Sequence, residues 1–236
     1  MFKKYVRFIS TTLIKQKVVP NNLKGKKVSS QQWLTRQLND PYVEKAKMMN
    51  YRCRSAFKLI EMNDKYNFLQ PKNIVIDCGA SPGSWTQVAI HKVKLKNEGV
   101  VIAIDKQQIY PIEGAIIFGN SDFTNAETQG NILKILQGEK VDVVLSDMAP
   151  SATGIKEMDD ENILKLCYSV LRFAIINGKK GGTILVKMWQ CGESKQFESD
   201  LLKFYDNVKI IKPKSSRKDS SEIYFLGRGF KGVLNQ

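Results

Sequence analysis

Residues 73–85 are Asn73-Ile-Val-Ile-Asp-Cys-Gly-Ala-Ser-Pro-Gly-Ser-Trp85, and they indicate the kind of fold to expect. A short apolar run ends in a turn with two glycines, and a helical pattern follows over residues 85–93. Open α/β sheets bind ligands at such a turn, beyond the carboxyl end of the first parallel strand. Because glycine has no Cβ, a ligand can approach its backbone closely. The stretch therefore predicts a ligand site at one edge of a parallel sheet.

The turn lacks two common phosphate-binding fingerprints. The Gly-x-Gly-x-x-Gly pattern of dinucleotide enzymes is absent, and Pro82 stands where its helix would begin. A P-loop requires Gly-Lys-Ser/Thr, which does not follow here. We therefore expect a nucleoside ligand that has no pyrophosphate to bind.

Apolar runs of strand length alternate with helical patterns along the rest of the chain. After the strand at residues 73–78, six more strands are predicted, at residues 100–104, 115–118, 141–145, 182–186, 208–211 and 223–226. Helices are predicted between most of them, which is typical of a parallel sheet covered on both faces. No helix separates the last two strands, so the final strand is expected to insert antiparallel. The predicted fold class is α/β, with a seven-stranded, mostly parallel sheet.

Three carboxylates follow successive predicted strands. Asp105, Asp122 and Asp147 stand just beyond the second, third and fourth strands. In such folds an acid after the second strand meets a ribose diol, and we expect Asp122 to face an adenine edge. A single Asp in a loop is more often a turn residue. Three of them above one sheet edge, however, suit a cationic ligand such as a sulfonium with an α-amino group.

Composition limits the remaining classes of function. The chain has 37 Lys and Arg against 23 Asp and Glu, a formal net charge of +14. Such a field attracts polyanions, although charge alone leaves nucleic-acid binding and a solvated cationic surface both open. No apolar run approaches the roughly 20 residues that cross a bilayer, so we expect no membrane insertion. The four cysteines lack the spacing of a zinc site and are predicted to be reduced thiols, with no metal bound.

The amino-terminal segment has its own composition. Residues 1–39 contain no acidic residue and nine basic ones, and the first 13 residues form an amphipathic pattern. This composition is typical of mitochondrial transit peptides. We therefore predict a transit peptide at residues 1–20 and a basic extension at residues 21–50, with a helix starting near Asp40-Pro41. The alternative is a basic arm that only touches RNA.

Four motifs carry a resemblance to a known family. They are Tyr51-Arg-Cys-Arg-Ser-Ala-Phe-Lys-Leu-Ile-Glu61, Asp77-Cys-Gly-Ala-Ser-Pro-Gly-Ser-Trp85, Ser146-Asp-Met-Ala-Pro150 and Lys212-Pro-Lys-Ser-Ser-Arg-Lys-Asp-Ser-Ser-Glu222. In this order they resemble the FtsJ ribose 2′-O-methyltransferases, over roughly residues 33 to 230. The resemblance implies a Rossmann-like, S-adenosylmethionine-dependent methyltransferase domain, here residues 51–236.

The resemblance also implies the residues of the site. The catalytic tetrad of the family falls on Lys58, Asp147, Lys187 and Glu222. The predicted cofactor-binding residues are Pro82, Gly83, Ser84, Trp85, Asp105, Asp122 and Asp147. Ser84 is a departure, since many relatives have a second glycine there. The implied substrate is a uridine in the A-loop region of mitochondrial large-subunit ribosomal RNA, in the matrix, and the implied partner is this RNA or a pre-ribosomal large subunit.

The chemistry of Lys187 is consistent with this. Lys187 ends a predicted buried strand, where a cation is costly unless it is paired. Burial and a second cation nearby, Lys58, both favour the neutral amine. A neutral Lys187 could take the proton of a 2′-hydroxyl as general base. Two structural salt bridges are the alternative.

Basic residues flank the tetrad at both ends of the chain. If Lys58 and Glu222 converge, their basic neighbours converge too and form a cationic rim for phosphates. The predicted RNA-binding residues are Arg52, Arg54, Lys212, Lys214, Arg217 and Lys218.

Three other functions remain open at this level. One is a 2′-O-methyltransferase of transfer RNA, and another is a catalytically silent RNA-binding factor in ribosome assembly. A nicotinamide oxidoreductase is the weakest alternative, because its fingerprint is missing and two lysines fall in the predicted pocket.

Overall fold

A computed structural model describes residues 20, 23, 25, 27–94 and 98–233 of the 236-residue chain. The chain divides into two units, residues 1–44 and 45–236. The first contains helix α1 (Val28–Leu38). Helix α2 (Pro41–Met48) begins where Asp40-Pro41 predicts, and the Asp40 carboxylate accepts the main-chain N–H of Tyr42 at 3.0 Å. Residues 1–19 of the predicted transit peptide lie outside the described residues.

The second unit contains the sheet and its helices. In chain order its elements are α3 (Ala56–Tyr66), β1 (Ile74–Cys78), α4 (Ser84–Val93), β2 (Val100–Ile104), β3 (Ile116–Phe118), α5 (Ala126–Leu136), β4 (Val141–Ser146), α6 (Lys156–Asn177), β5 (Gly178–Trp189), α7 (Ser194–Phe204), β6 (Tyr205–Ile211) and β7 (Glu222–Phe230). Each predicted strand and helix of this unit is present. The largest difference is β5, which is longer than the predicted residues 182–186 at both ends.

The strands of the described chain form one seven-stranded sheet in the order β3-β2-β1-β4-β5-β7-β6. Neighbours from β3 to β5 are parallel, whereas β7 runs antiparallel to both β5 and β6. This confirms the predicted fold class and the antiparallel final strand. The order reverses between β1 and β4, and ligands of open α/β sheets bind at such a switch point.

Helices cover both faces of the sheet. On one face, side chains of α3 and α4 form a buried cluster with Leu185 of β5 and Leu226 of β7. On the other, side chains of α5, α6 and α7 form a second cluster with Ile184 and Phe225. Side chains alternate between the faces along each strand, so Lys187 lies on the same face as Leu185. The fold therefore directs Lys187 towards α3, which carries Lys58.

Two further predictions concern this framework. Cys53, Cys78, Cys167 and Cys191 are free thiols, as expected, and Cys78 is fully buried in β1. Among the described residues, no helix has both the length and the apolar character needed to cross a membrane.

Phe197 tests the packing of α7 on the sheet. It is fully buried, and its ring meets those of Tyr168 and Phe225 edge-on, at 5.3 and 5.2 Å between centroids. Because Phe197→Ala removes this contact and leaves a cavity, it should lower the free energy of unfolding by about 3–5 kcal/mol. Urea denaturation measures the change. Leu202→Ala, at an exposed site on the same helix, should have a free energy of unfolding within about 0.5 kcal/mol of wild type. Equal losses of stability in the two variants would contradict the packing described.

Candidate active site

The glycine turn after β1 lies at the switch point and presents bare backbone. The main-chain N–H of Gly79 donates to the carbonyl of Ile104 at the end of β2, and that of Asp147 donates to the carbonyl of Cys78 at the end of β1. A Cβ on Gly79 would lie 2.7 Å from the Met148 side chain, and one on Gly83 would collide with Ile112. Both glycines have positive φ, 77° and 113°. Only glycine fits these two positions without displacing neighbours.

Asp105 and Asp122 follow β2 and β3 at this same edge. Asp105 accepts the main-chain N–H groups of Ser81, at 2.9 Å, and Gln107, at 2.7 Å, so it ties the glycine turn to the end of β2. Asp122 is more exposed and pairs with Lys106 at 3.0 Å. Burial works to raise the pKa of Asp122, but hydrogen bonds from Thr124 and the charge of Lys106 bring it below its usual range.

Asp77, at the end of β1, is a fully buried carboxyl that the sequence analysis did not assign to the site. Burial raises its pKa to about 7, and the charges of Asp147 and Asp105 add to the rise, while a hydrogen bond from Thr86 at 2.7 Å opposes it. Its second oxygen, Oδ1, has no hydrogen-bond partner in the described structure. A buried acceptor without a partner is costly, so this atom marks a place that suits a cationic or hydrogen-donating ligand.

The predicted tetrad is brought together around Asp147. The Lys187 ammonium lies 3.1 Å from Oδ1 of Asp147 and also donates to the main-chain carbonyl of that residue. Oδ1 accepts the hydroxyl of Tyr224 at 2.7 Å, and Oδ2 accepts that of Ser55 at 2.9 Å. Asp147 therefore joins β4, β5, β7 and the segment that leads into α3.

Lys58 and Glu222 complete the set. The Lys58 ammonium donates to Oε2 of Glu222 at 2.7 Å and to the hydroxyl of Tyr224 at 3.3 Å. Since Tyr224 in turn donates to Asp147, the two lysine–acid pairs form one chain of contacts. Lys58 comes from α3 and Glu222 from β7, 164 residues later. The structure thus places all four predicted catalytic residues in one cluster.

Burial and charge set the protonation of this cluster. Burial tends to raise the pKa of Asp147, but the ammonium groups of Lys187 and Lys58 and the hydroxyl of Tyr224 bring it below the usual range, so Asp147 is a carboxylate. Burial and the charges of Asp147 and Glu222 hold the pKa of Tyr224 well above its usual value. Tyr224 is therefore a hydrogen-bond donor across the physiological range.

Sequence reasoning missed Tyr224 and Ser55. Side chains two residues apart on a strand share a face, so the position of Tyr224 after Glu222 was a usable signal. Ser55 had no such signal, because its contact with Asp147 spans 92 residues.

Ser84 and Trp85 are buried at the start of α4, only 2% exposed each. The indole N–H of Trp85 donates to the carbonyl of Ser55, and its ring lies 5.7 Å from that of Tyr224. Ser84 Oγ is 3.0 Å from Cys53 Sγ, so the departure from glycine is accommodated by a polar contact. A ligand in this turn would meet the backbone of these residues, and their predicted cofactor contacts stay predictions.

The loop between β6 and β7 carries four of the predicted RNA-binding residues. Arg54 donates to the carbonyl of Ser215, and the main-chain N–H of Ser215 donates to Glu61 of α3 at 3.2 Å, so the loop is held on α3. Lys212 closes the loop by donating to the carbonyl of Ser220 at 2.7 Å. The exposed lysines of this loop are Lys212, Lys214 and Lys218, and Arg217 is half-buried.

One group of potential metal ligands occurs in the described residues. Ligand atoms of Asp160, Cys191 and Glu193 lie within 4.8 Å of one another. Lys156 already pairs with Asp160, and no second feature points to an ion. The sequence-based expectation of no metal stays a prediction.

The sheet order, the glycine turn at the switch point and the acidic strand ends define a Rossmann-like methyltransferase. A profile of the FtsJ-like methyltransferases matches residues 51–230. The chain belongs to this family.

Similar proteins agree with that assignment. The chain is 50% identical over 222 residues to mitochondrial rRNA methyltransferase 2 of Drosophila melanogaster, covering 92% of this chain and 89% of the relative. It is 46% identical over 208 residues to ribosomal RNA large subunit methyltransferase E of Rhodopseudomonas palustris, covering 88% and 87%. A solved structure from Plasmodium falciparum, described as a ribosomal RNA methyltransferase, has a TM-score of 0.69 and 33% identity and covers 78% of this chain and 100% of its own.

The raised pKa of Asp77 predicts a pH-dependent stability. An unfolded Asp loses its proton near pH 4, whereas folded Asp77 retains it up to about pH 7. The folded state therefore binds more protons in this window, and the stabilisation, present in full below pH 4, is lost as pH rises through about 7. Asp77→Asn should remove this loss. The free energy of unfolding of the wild type should therefore fall relative to that of the variant by on the order of 4 kcal/mol at most between pH 4 and pH 8.

Urea denaturation of both proteins across this range measures the difference. Asp206→Asn, at an exposed carboxyl, serves as the control and should follow the wild-type profile. A constant difference between wild type and Asp77→Asn at every pH would show that Asp77 is ionised throughout.

Proposed function

We propose that this protein transfers a methyl group from S-adenosylmethionine to a ribose 2′-hydroxyl of RNA. The observation that carries the proposal is the single cluster of Lys58, Glu222, Asp147 and Lys187 beside the acidic switch-point edge. A lysine held in place beside the donor site can take the proton of a hydroxyl when its amine is neutral.

The residues at the switch point fit S-adenosylmethionine. When bound, it would supply an electrophilic methyl group, whose bond to sulfur breaks as the ribose 2′-oxygen bonds to the methyl carbon and the neutral thioether leaves. Asp105 and Asp122 would hold the ribose and the adenine, and Pro82 and Gly83 would offer backbone. The unpartnered, buried Oδ1 of Asp77 suits a hydrogen-donating group of such a donor. A Cβ on Gly79 or Gly83 would collide with Met148 or Ile112, so the turn requires glycine at both positions.

Lys187 is the general base of the proposal. Its ammonium is only about one-tenth exposed, and it accepts a proton only as the neutral amine. Lys187 also bonds to the main-chain carbonyl of Asp147, which fixes the direction of its amine.

The other members of the cluster position Lys187 and the ribose. Asp147 holds Lys187 through Oδ1, and Ser55 and Tyr224 hold Asp147. The Lys58 ammonium donates a hydrogen bond to Glu222 at 2.7 Å. This contact holds Lys58 on the side of the site where the ribose is proposed to bind. Correct placement of reacting groups accounts for much of the acceleration in a transfer of this kind.

The acceptor is proposed to be large-subunit ribosomal RNA. The relatives from Drosophila melanogaster and Rhodopseudomonas palustris are both named as ribosomal RNA methyltransferases. The net charge of +14 and the lysines of the loop between β6 and β7 support binding to phosphates. The finer proposal is a uridine in the A-loop region of the mitochondrial RNA, methylated in the matrix on the RNA or a pre-ribosomal large subunit.

Transfer of radiolabelled methyl groups to total mitochondrial RNA, followed by position mapping, tests the proposal. We expect a 2′-O-methyl mark on one large-subunit uridine. Lys187→Ala should lower the single-turnover rate by roughly 10²–10⁴-fold, because it removes the general base, and should leave the donor dissociation constant near the wild-type value.

Lys179→Ala is the matched control, since Lys179 is an exposed, ion-paired lysine on the same strand β5. It should retain the wild-type rate. Marks on transfer RNA would redirect the proposal to that substrate, and wild-type turnover by Lys187→Ala would remove Lys187 from the role of base.

A further inference from the structure

We infer that Arg52 is a positioning residue for the methyl donor: its guanidinium holds together the two loops between which the donor binds. The inference rests on the proposed function and assigns Arg52 a task that sequence patterning did not suggest. It concerns donor affinity, whereas the cationic rim concerns RNA affinity.

The guanidinium of Arg52 bonds to three main-chain carbonyls. Nη1 donates to Pro82 and to Tyr110, each at 2.8 Å, and Nη2 donates to Pro111 at 2.7 Å. Pro82 belongs to the glycine turn after β1. Tyr110 and Pro111 belong to the connection from β2 to β3, which begins at Asp105. One side chain therefore joins both loops of the donor side.

These bonds need the shape of arginine. Loop carbonyls have no strand or helix partner, so they need donors from elsewhere. A guanidinium offers several N–H groups in a fixed planar fork, whereas a lysine ammonium is a compact charge on a flexible stem. Arg52 uses three of its five N–H donors in this way, and we infer this role in place of the predicted contact with RNA.

Arg52 is itself held in place from α4. Its main-chain N–H donates to Oε1 of Gln87 at 2.9 Å, while Nε2 of Gln87 donates to the carbonyl of Asn50 at 3.0 Å. A Cβ on Gly83 would lie 3.0 Å from Nη1 of Arg52. The guanidinium thus packs against the glycine whose bare backbone the donor is proposed to approach.

The segment that holds the donor loops also holds the acceptor side. Three residues after Arg52, the hydroxyl of Ser55 donates to Asp147, and Lys58 follows one turn later. Arg54, by contrast, bonds to Ser215 in the loop between β6 and β7. The two arginines have separate tasks, because Arg52 fixes the donor loops and Arg54 fixes the loop that carries the exposed lysines.

Equilibrium binding separates these tasks. The dissociation constants of S-adenosylmethionine and of a large-subunit RNA fragment are measured for wild type, Arg52→Ala, Arg52→Lys and Arg172→Ala. Arg52→Ala removes hydrogen bonds made by a charged guanidinium. Its dissociation constant for S-adenosylmethionine should therefore rise by roughly tenfold or more. The S-adenosylmethionine constant of Arg52→Lys should lie between those of Arg52→Ala and wild type. The RNA dissociation constant of both variants should change less than about twofold, a shift of a few tenths of a kcal/mol.

Steady-state kinetics gives a second readout. The KM for the donor should rise in Arg52→Ala, while kcat at saturating donor falls less, since the tetrad is intact. Arg172→Ala, at an exposed position on α6, is matched for charge and should change neither value. If Arg52→Ala does not fold, the intermediate loss expected of Arg52→Lys remains the test.

Two failures are distinguishable. Wild-type protein that binds no S-adenosylmethionine would refute the proposed function. Wild-type protein that binds it, together with Arg52 variants of unchanged donor affinity and weakened RNA affinity, would overturn the positioning role and make Arg52 an RNA contact.

Discussion

The site depends on one partly buried carboxylate, that of Asp147. A buried charge is costly unless it is paired and hydrogen-bonded, and Asp147 receives donors from Ser55, Tyr224 and Lys187. These partners come from the segment before α3 and from strands β7 and β5. Satisfying a single acid therefore requires the beginning, middle and end of the second unit to meet at one point.

This constraint separates the site into two sides. On the proposed donor side, the glycine turn and Asp105 lie at the switch point between β1 and β4, and Asp77 is buried at the end of β1. On the proposed acceptor side, Lys58 pairs with Glu222, where the loop between β6 and β7 ends. Asp147 lies between the two sides, because it directly follows β4 and its side chain bonds to residues of β5, β7 and the segment before α3. The two sides are joined by contacts of side chains with backbone as well as by the sheet.

Apolar periodicity predicted the sheet and its antiparallel last strand, and the resemblance to the FtsJ family implied the four tetrad residues. Element ends were less well predicted: β5 continues to Trp189 because Lys187, Met188 and Trp189 pair with β7, and it begins at Gly178, which pairs with Val141 of β4. Asp77 was not assigned to the site: its place in an apolar run indicates burial, but the unpartnered Oδ1 is seen only in the structure.

The basic residues show a second limit of prediction from sequence. In the sequence Arg52 and Arg54 are equivalent members of a cationic segment, and both suggest phosphate contacts. Only the tertiary structure shows that each bonds to loop carbonyls, and that the loops differ. Hydrogen-bond acceptors of the backbone carry no sequence signature, so such roles are found from coordinates.

Chemical rescue of Lys187→Ala by small amines tests most directly whether this buried cluster performs the proton transfer. Single-turnover methyl transfer is followed with methylamine, ethylamine and a series of less basic primary amines in the buffer. If Lys187 is the base, the amines restore the rate, which rises with their concentration and basicity, while tetramethylammonium has no effect. Equal rescue by tetramethylammonium, or no rescue by any amine, would contradict the role of Lys187 and with it the account of the site.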